Sequence, residues 1–246
     1  MLRIIQMTDI HIDTPEKPYH DIDVKGKFLA ALEKITAYSD IDLLIISGDL
    51  AAHQGEIEAY EWIAQQLKIL NMPYIVMAGN HDNMHNMQQV FPIKSQNVHH
   101  GMLYFRYVFK DIPLLFLDTA SYALPQVQID WLKQQPAVPS LLFMHHPPTF
   151  CNCTYMDHKY PLRNRQDVWA QLVALEHIKH IFCGHYHTAR TVYKDNKVLH
   201  IAPSTMLQIA ARTQDFEAAS YQPGWRVIEW DENQLNSYVE YVDVAI

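Results

Sequence analysis

The chain has 246 residues, 49% of them hydrophobic, which is enough to build a full core without disulfides. Lysine and arginine number 19 against 27 aspartates and glutamates, so the formal net charge is −8, which argues against a nucleic-acid-binding protein. We find no signal peptide and no apolar run long enough to cross a membrane. We therefore expect a soluble, cytoplasmic protein.

Strands and helices alternate along the first third of the chain, and the strands are continuously apolar. This pattern is typical of a parallel sheet that is covered on both faces. In chain order we predict a strand over 2–8, a loop over 12–24, a helix over 25–39, a strand over 42–46, a helix over 56–70 and a strand over 74–77.

The middle and the end of the chain contain further strands, and no linker or repeat separates them, so we expect one domain over residues 1–246. We predict a hairpin over 102–109 and 113–118, a helix over 126–135, a strand over 141–144, a loop over 155–164, a helix over 165–176 and a strand over 180–183. After these come two short strands joined at Asp195-Asn196, a strand over 225–230, a turn near Asp231-Glu232-Asn233 and a last strand over 238–242.

Five predicted strands end in polar side chains. The carboxyl ends of strands in an open α/β sheet form the usual ligand site, so these side chains can converge. Glycines lie at three of the exits, Gly48, Gly79 and Gly184, where we expect tight turns that use positive φ. The polar residues are Asp9, His11, Asp49, Asn80, His81, Asp82, His145, His185 and His187.

Imidazole, carboxylate and amide groups without thiolate suit a borderline transition metal, iron or manganese, with zinc also possible. Seven such ligands are too many for one ion and suit two, provided that one carboxylate bridges them. The seven are Asp9, His11, Asp49, Asn80, His145, His185 and His187. Cys151 and Cys153 could supply half of a zinc site, but no second cysteine pair completes it, so we interpret both as reduced, structural thiols.

These blocks resemble the five-block signature of the calcineurin-like metallophosphoesterases. The matching residues are Asp9-x-His11, Gly48-Asp49, Gly79-Asn80-His81-Asp82, His145-His146-Pro147 and Gly184-His185-x-His187. Within that superfamily the chain looks most like the class III cyclic nucleotide phosphodiesterases of the Icc or CpdA type. This finer likeness is carried by Met156-Asp157, Leu162-Arg163-Asn164, Pro203-Ser204-Thr205 and Pro223-Gly224-Trp225-Arg226.

The resemblance implies a four-layer αββα sandwich, in which two mixed sheets are flanked by helices. It also implies that Asp9, His11 and His187 hold one ion, that Asn80, His145 and His185 hold the other, and that Asp49 bridges them. The expected activity is hydrolysis of 3′,5′-cyclic nucleotides, cAMP to 5′-AMP, through attack by a metal-bridged hydroxide. The small-molecule substrate is expected to contact His11, Asp49, Asn80, His81, His187 and Asn164.

By the same resemblance His81 lies near the scissile phosphate and Asp82 orients it, so both are expected to be catalytic. A protonated His81 is the natural proton donor to a poor alkoxide leaving group. For Asn164, contact with substrate and capping of the following helix both stay open. His146 fits packing or support of a ligand better than ligation itself, and His53 fits a surface loop better than the pocket.

Three other functions compete with this one. The first is a broad phosphatase or a nucleotide-sugar-lipid pyrophosphatase on the same scaffold, although no amphipathic lid for a lipid is evident. The second is a non-catalytic binding scaffold, which the complete ligand set and His81 disfavour. The third is a nuclease, which the acidic balance disfavours. We expect no nucleic-acid or membrane partner, and a homodimer is possible.

Overall fold

The computed structural model describes residues 1–70, 72–231 and 234–244. Its strands are β1 (Leu2–Met7), β2 (Leu43–Ser47), β3 (Tyr74–Met77), β4 (Val98–His99), β5 (Met102–Leu103), β6 (Phe105–Phe109), β7 (Ile112–Leu117), β8 (Ser140–Met144), β9 (Ile178–Cys183), β10 (Arg190–Lys194), β11 (Lys197–Ile201), β12 (Gln208–Ile209), β13 (Ala218–Ser220), β14 (Gly224–Trp230) and β15 (Leu235–Tyr241). Its helices are α1 (Val24–Thr36), α2 (Ile57–Leu67), α3 (Met84–Val90), α4 (Gln126–Lys133), α5 (Thr154–Lys159) and α6 (Arg165–Val173).

Two mixed sheets form the centre of the protein. In the first, with strand order β15-β14-β1-β2-β3, the strands β1, β2 and β3 run parallel and β14 pairs antiparallel to β1. In the second, with order β10-β11-β9-β8-β7-β6, the four central strands run parallel and the two edge strands pair antiparallel. The parallel strands of each sheet deliver their carboxyl ends to one edge.

The sheets pack face to face, and helices cover the outer faces. Alternate residues of one strand enter different cores: Ile4 lies between the sheets with Phe116 and Phe143, whereas Ile5 lies in the outer cluster with Phe28 of α1. Burial on both faces explains why the strands are continuously apolar. The predicted αββα sandwich is confirmed.

Helix α1 shows how a local signal sets an element boundary. The Asp23 carboxylate accepts a hydrogen bond from the Gly26 amide at 2.8 Å, which satisfies one of the free donors at the helix start. Phe28, Leu32 and Ile35 are then buried on one face. The helix ends three residues before the predicted boundary, at Thr36.

Several short elements were not predicted. A loop is predicted over residues 155–164, but 154–159 form α5. Helix α3 and the strand pairs β4–β5 and β12–β13 are not predicted at all. These elements are too short to show an apolar period. The predicted hairpin over 102–118 is confirmed as β6–β7, with Phe105 opposite Phe116. Part of the predicted turn at Asp231-Glu232-Asn233, residues 232–233, lies outside the described residues.

No helix within the described ranges combines the length and the apolar character needed to cross a membrane. A single domain over residues 1–246 stays our prediction.

Candidate metal centre

The polar residues at the strand exits meet at one edge of the two sheets. Within the first sheet, the amide of Asp9 donates to the carbonyl of Gly48 at 3.0 Å, which joins the loops after β1 and β2. Within the second, the amide of Gly184 donates to the carbonyl of His145 at 3.0 Å, which joins the loops after β8 and β9. The tertiary fold thus brings residues almost 180 positions apart into one cluster.

The backbone at this cluster adopts a conformation that is unfavourable for residues other than glycine. Asp9, His11, Asp49, His185 and His187 have φ values of 52°, 46°, 53°, 66° and 47°. A non-glycine residue in this region costs on the order of 1–3 kcal/mol and persists where the surrounding structure enforces it. Five of the seven residues that the sequence predicts as ligands thus have this strained backbone conformation, among thirteen non-glycine residues with positive φ in the described chain.

The glycines at the exits have two different roles. Gly48 has φ of 101°, as the sequence predicts. Gly79 and Gly184 lie outside the positive-φ region, so the prediction that their turns need positive φ is wrong. A Cβ at Gly79 would overlap the Asp49 carboxylate, and one at Gly184 would overlap Thr8. These two glycines are needed for close approach of the loops.

The donor atoms form three groups in which they lie within 4.8 Å of one another. His187 Nε2 is 3.3 Å from Asp9 Oδ1, and His145 Nε2 is 3.2 Å from Asp49 Oδ2. His11 Nε2 and His187 Nε2 are 3.1 Å apart, so at most one of these two nitrogens can carry a proton in this arrangement. The groups are Asp9, His11 and His187; Asp49, His145 and His185; and His11, Asp49 and His81.

Backbone carbonyls form hydrogen bonds with one ring nitrogen of His145 and one of His185, which decides the nitrogen that each ring can offer to the cluster. His145 Nδ1 lies 2.8 Å from the Ser47 carbonyl and His185 Nε2 lies 2.8 Å from the Tyr160 carbonyl, so both of these nitrogens carry a proton. His145 Nε2 is left buried without a hydrogen-bond partner in the described part of the chain. Backbone carbonyls that orient imidazoles in this way are typical around metal sites.

Burial keeps two of these imidazoles, His11 and His185, neutral. It lowers the pKa of His11 to about 3, and burial together with the charge of His145 lowers the pKa of His185 to about 4. Burial also lowers the pKa of His145, but the Asp49 and Asp9 carboxylates more than offset it and raise the pKa to about 9. Neutral imidazoles beside two ionised carboxylates are ready to coordinate a cation.

A cavity of about 430 Å³ opens onto this cluster. Its polar floor includes His11, Asp49, Asn80, His81 and His187. Its sides are aromatic or apolar, and no lysine or arginine is found among the described residues that line it. The side-wall residues are Tyr19, Tyr122, Tyr155, Met156, Tyr160, Met206, Leu207, Ile209 and Phe216, with His20 at the edge.

Comparison with known proteins places this geometry in a family. The family model for calcineurin-like phosphoesterases matches residues 2–189. The chain belongs to the calcineurin-like phosphoesterases.

Two curated relatives and one solved structure are similar to this calcineurin-like phosphoesterase. A probable cyclic nucleotide phosphodiesterase of Fibrobacter succinogenes is 38% identical, over 98% of this chain and 94% of the relative. The 3′,5′-cyclic adenosine monophosphate phosphodiesterase CpdA of Escherichia coli is 26% identical, over 93% and 85%. A dimetal phosphatase from Danio rerio has the same fold, with a TM-score of 0.68, 10% identity and coverage of 96% and 95%.

The residues present fit the two metal ions that this family uses. Asn80 Oδ1 is buried without a hydrogen-bond partner in the described residues, as is His145 Nε2, and a buried polar atom of this kind requires a partner of some sort. Asp49 lies in one donor group with His145 and His185 and in another with His11, so it is close to predicted ligands of both ions. Assignment of each ligand, and the identity of the metal, stay predictions.

The Asp82 carboxylate has hydrogen-bond partners other than His81, and a catalytic role for Asp82 stays a prediction. The Asp82 carboxylate accepts hydrogen bonds from the amides of Leu50 and Gly79, at 3.0 and 2.8 Å, and from the Tyr60 hydroxyl at 2.9 Å. It fastens the two loops together. His81 Nδ1 instead lies 2.7 Å from the Ala52 carbonyl, which leaves its Nε2 on the other side of the ring.

The alternative that the Asn164 side chain caps the following helix is wrong. Asn164 stands before α6, but its side chain makes no capping hydrogen bond. Its amide oxygen accepts from the Leu124 amide at 3.1 Å and its amide nitrogen donates to the Leu124 carbonyl at 2.8 Å. Contact between Asn164 and substrate stays a prediction, although this residue is not among those that line the cavity.

The other two histidines considered from the sequence lie as expected. His146 is buried behind the cluster, with its ring centre 4.0 Å from that of His185 and its Nδ1 2.9 Å from the Thr119 hydroxyl. His53 is half-buried and contacts the Lys17 carbonyl at 3.1 Å.

Two sets of residues were missed. The aromatic residues of the cavity wall come from unpredicted elements, and their only signal was the density of tyrosine around α5. The second set is His180 and His200, which pair across β9 and β11 with ring nitrogens 3.1 Å apart and have no signal in the sequence.

The cysteines agree with a structural role. Cys151, Cys153 and Cys183 are buried free thiols. Burial raises the pKa of Cys153 to about 11, and it raises that of Cys151 further, so both stay protonated and are poor metal ligands.

Proposed function

We propose that this chain is a phosphodiesterase that hydrolyses 3′,5′-cyclic nucleotides, cAMP to 5′-AMP, with two bound transition-metal ions. The observation that carries the proposal is the position of Asp49 between the predicted ligands of the two ions. It lies in one donor group with His145 and His185 and in another with His11, which also belongs to the group of Asp9 and His187. No lysine or arginine is found among the described residues that line the cavity. The names of the curated relatives agree with a cyclic nucleotide as substrate.

Asp9, His11 and His187 would hold one ion, Asn80, His145 and His185 the other, and Asp49 would contact both. Iron and manganese, or zinc, suit these nitrogen and oxygen ligands. When bound, the ions supply positive charge for the phosphoryl oxygens and lower the pKa of the attacking water.

His81 is our candidate for the proton donor to the departing alkoxide. The Ala52 carbonyl accepts from Nδ1 and fixes the ring, so Nε2 is the nitrogen available to the substrate. A carbonyl acceptor is compatible with an imidazolium, in which both nitrogens are donors. General acid catalysis of this kind contributes about 10²–10⁴-fold.

The cavity favours a diester over a monoester. A cyclic phosphodiester carries one negative charge, whereas a phosphomonoester carries nearly two and usually recruits an arginine. Since no arginine or lysine is among the described lining residues, the ions would have to neutralise all of the substrate's charge. The same observation disfavours a pyrophosphatase, whose substrate carries a second phosphate.

The test is a substrate panel with defined metal. The kcat/KM values are compared for cAMP, cGMP, bis(p-nitrophenyl) phosphate and p-nitrophenyl phosphate after reconstitution with manganese or iron. We expect both cyclic nucleotides to be hydrolysed to the 5′-monophosphate and the diesters to exceed the monoester. An inert cAMP together with a preferred monoester would replace this function by that of a phosphatase. A cytoplasmic location and a homodimer are retained as predictions.

A further inference from the structure

One wall of the cavity is built from three aromatic side chains, Tyr155, Tyr160 and Phe216, which we call the aromatic wall. The ring centres of Tyr155 and Tyr160 are 5.7 Å apart, and those of Tyr155 and Phe216 are 6.0 Å apart. Phe216 is 54% exposed and Tyr160 is 42% exposed. Three adjoining aromatic rings therefore face the cavity with part of their surface in water.

Hydrogen bonds of the main chain hold this wall in place. The amide of Thr154 donates to the carbonyl of Ala211 at 2.7 Å, which brings the start of α5 to the loop between β12 and β13. The amide of Ala210 donates to the carbonyl of Glu217 at 2.8 Å and closes that loop around Phe216. The segments that carry the three aromatic rings are therefore fixed relative to one another by main-chain hydrogen bonds.

The wall is also attached to the candidate metal centre. The Tyr160 carbonyl is the acceptor for His185 Nε2 at 2.8 Å, so the residue that follows α5 is held against a predicted ligand. The amide of Ile209 donates to the carbonyl of His187 at 2.7 Å, which ties the β12 side of the wall to another. A phosphate bound at the centre would hold its ester groups at a fixed position relative to the rings.

We propose that the aromatic wall binds the organic group esterified to the phosphate, through stacking with a planar, uncharged ring such as a nucleobase. The proposal rests on the proposed phosphodiester site and adds the chemistry of the group beside the phosphate. Base–aromatic stacking tightens binding about 5- to 150-fold per base and tolerates different bases. The wall therefore selects a nucleoside ester over an ester that has no base, without strong preference between bases.

A quaternary ammonium group is the other ligand that aromatic faces bind. The cavity favours the neutral ring, because buried Met206, Leu207 and Ile209 continue the wall with apolar surface. The carboxylate that lines the cavity in the described residues, Asp49, is already within 3.2 Å of His145. The negative charge of Asp49 is therefore engaged by His145 and is not available to a cation at the aromatic wall.

The experiment measures binding apart from turnover. The dissociation constants of two matched pairs are determined by calorimetry in metal-loaded His81→Ala protein: cAMP against ribose 3′,5′-cyclic phosphate without a base, and the methyl ester of 5′-AMP against that of ribose 5-phosphate. We expect each adenine ester to bind about tenfold more tightly than its partner without a base. Phe216→Ala should weaken the adenine esters about fivefold and leave the others unchanged.

Matched variants separate stacking from folding. Phe216→Trp should keep or increase the preference for adenine esters, because it enlarges the stacking surface. Tyr193→Ala removes an aromatic side chain that is 77% exposed and does not line the cavity, so it should leave all four constants unchanged. Tyr155→Ala should reproduce the effect of Phe216→Ala.

The outcomes distinguish this inference from the proposed function. Equal affinities within both pairs, failure of all four esters to bind, or tighter binding of glycerophosphocholine that Phe216→Ala abolishes would overturn the stacking proposal. Turnover by the protein with His81 intact is measured separately. If adenine esters bind through Phe216 but cAMP is not hydrolysed, the stacking proposal is supported and the proposed cyclic nucleotide phosphodiesterase activity is refuted.

Discussion

The backbone amide of His185 donates a hydrogen bond to the Asp9 carboxylate at 2.9 Å. Asp9 follows a strand of the first sheet and His185 follows a strand of the second. This contact therefore joins the two halves of the candidate centre across the interface between the sheets. It also fixes the Asp9 oxygens relative to His187, whose Nε2 lies 3.3 Å from Oδ1. Correct docking of the sheets is thus a condition for the donor groups to form.

The first prediction concerns the shared carboxylate. Asp49→Asn should reduce the metal content from about two ions per chain to less than one, because Asp49 lies close to His145 and to His11, predicted ligands of different ions. Elemental analysis after reconstitution and desalting measures this content. The control is Asp118→Asn, which changes a buried carboxylate outside these groups and should keep both ions. Two ions retained by Asp49→Asn would contradict the shared role.

The second prediction concerns the proton donor. His81→Ala should keep both ions but lower kcat about 10²–10⁴-fold for an alkoxide leaving group, with a far smaller effect for p-nitrophenolate, a weak base that barely needs the proton. Rates on cAMP and on bis(p-nitrophenyl) phosphate measure the difference. His20→Ala, which also lines the cavity, is the control. Equal losses on both substrates would assign His81 to phosphoryl charge, and a lost ion would assign it to the metal.

The third prediction concerns Asp82 and its role in fastening the loops. Tyr60→Phe removes one of its hydrogen bonds and leaves the Asn83 amide without the Tyr60 oxygen that it contacts at 2.9 Å. We expect a loss of about 1–3 kcal/mol in the free energy of unfolding, measured with urea on metal-free protein. The ratio of rates on alkoxide and p-nitrophenolate esters should not change. A changed ratio would support the prediction that Asp82 orients His81.

The fourth prediction is a pH dependence of stability that comes from His200. Burial, with the charge of Arg226, lowers the pKa of His200 to about 3. Between about pH 6.5 and pH 3 the unfolded chain binds a proton at this residue and the native protein does not, so stability falls as pH falls. From pH 7 to pH 5 the loss due to His200 should be about 2 kcal/mol.

His200→Gln should remove that part of the pH dependence. Urea unfolding at pH 7 and pH 5, in the presence of a chelator, compares the variant with the parent protein. His158→Gln changes an exposed histidine and should leave the dependence as it was. The same loss in His200→Gln and in the parent protein would show that His200 is not kept neutral by burial.

The long elements and the metal chemistry were accessible from the sequence, because both have local signals. Apolar runs such as Leu43–Ser47 mark a strand buried on two faces, and the side chain that follows such a run must emerge at the sheet edge. Asp9, Asp49, Asn80 and His145 could be placed at that edge by this rule alone. Nitrogen and oxygen ligands in that number then pointed to two ions.

The partners of each side chain were decided by the tertiary structure. The family resemblance suggested that Asp82 orients His81, but the approach of the loop after β2 supplies Ala52 to His81 and Leu50 to Asp82. Gly79 could be recognised as necessary, whereas the close approach of Asp49 that requires it depends on the packing of two loops. The aromatic wall exists because main-chain contacts bring α5 against the loop that carries Phe216, and contacts between distant segments leave no periodic signal in sequence.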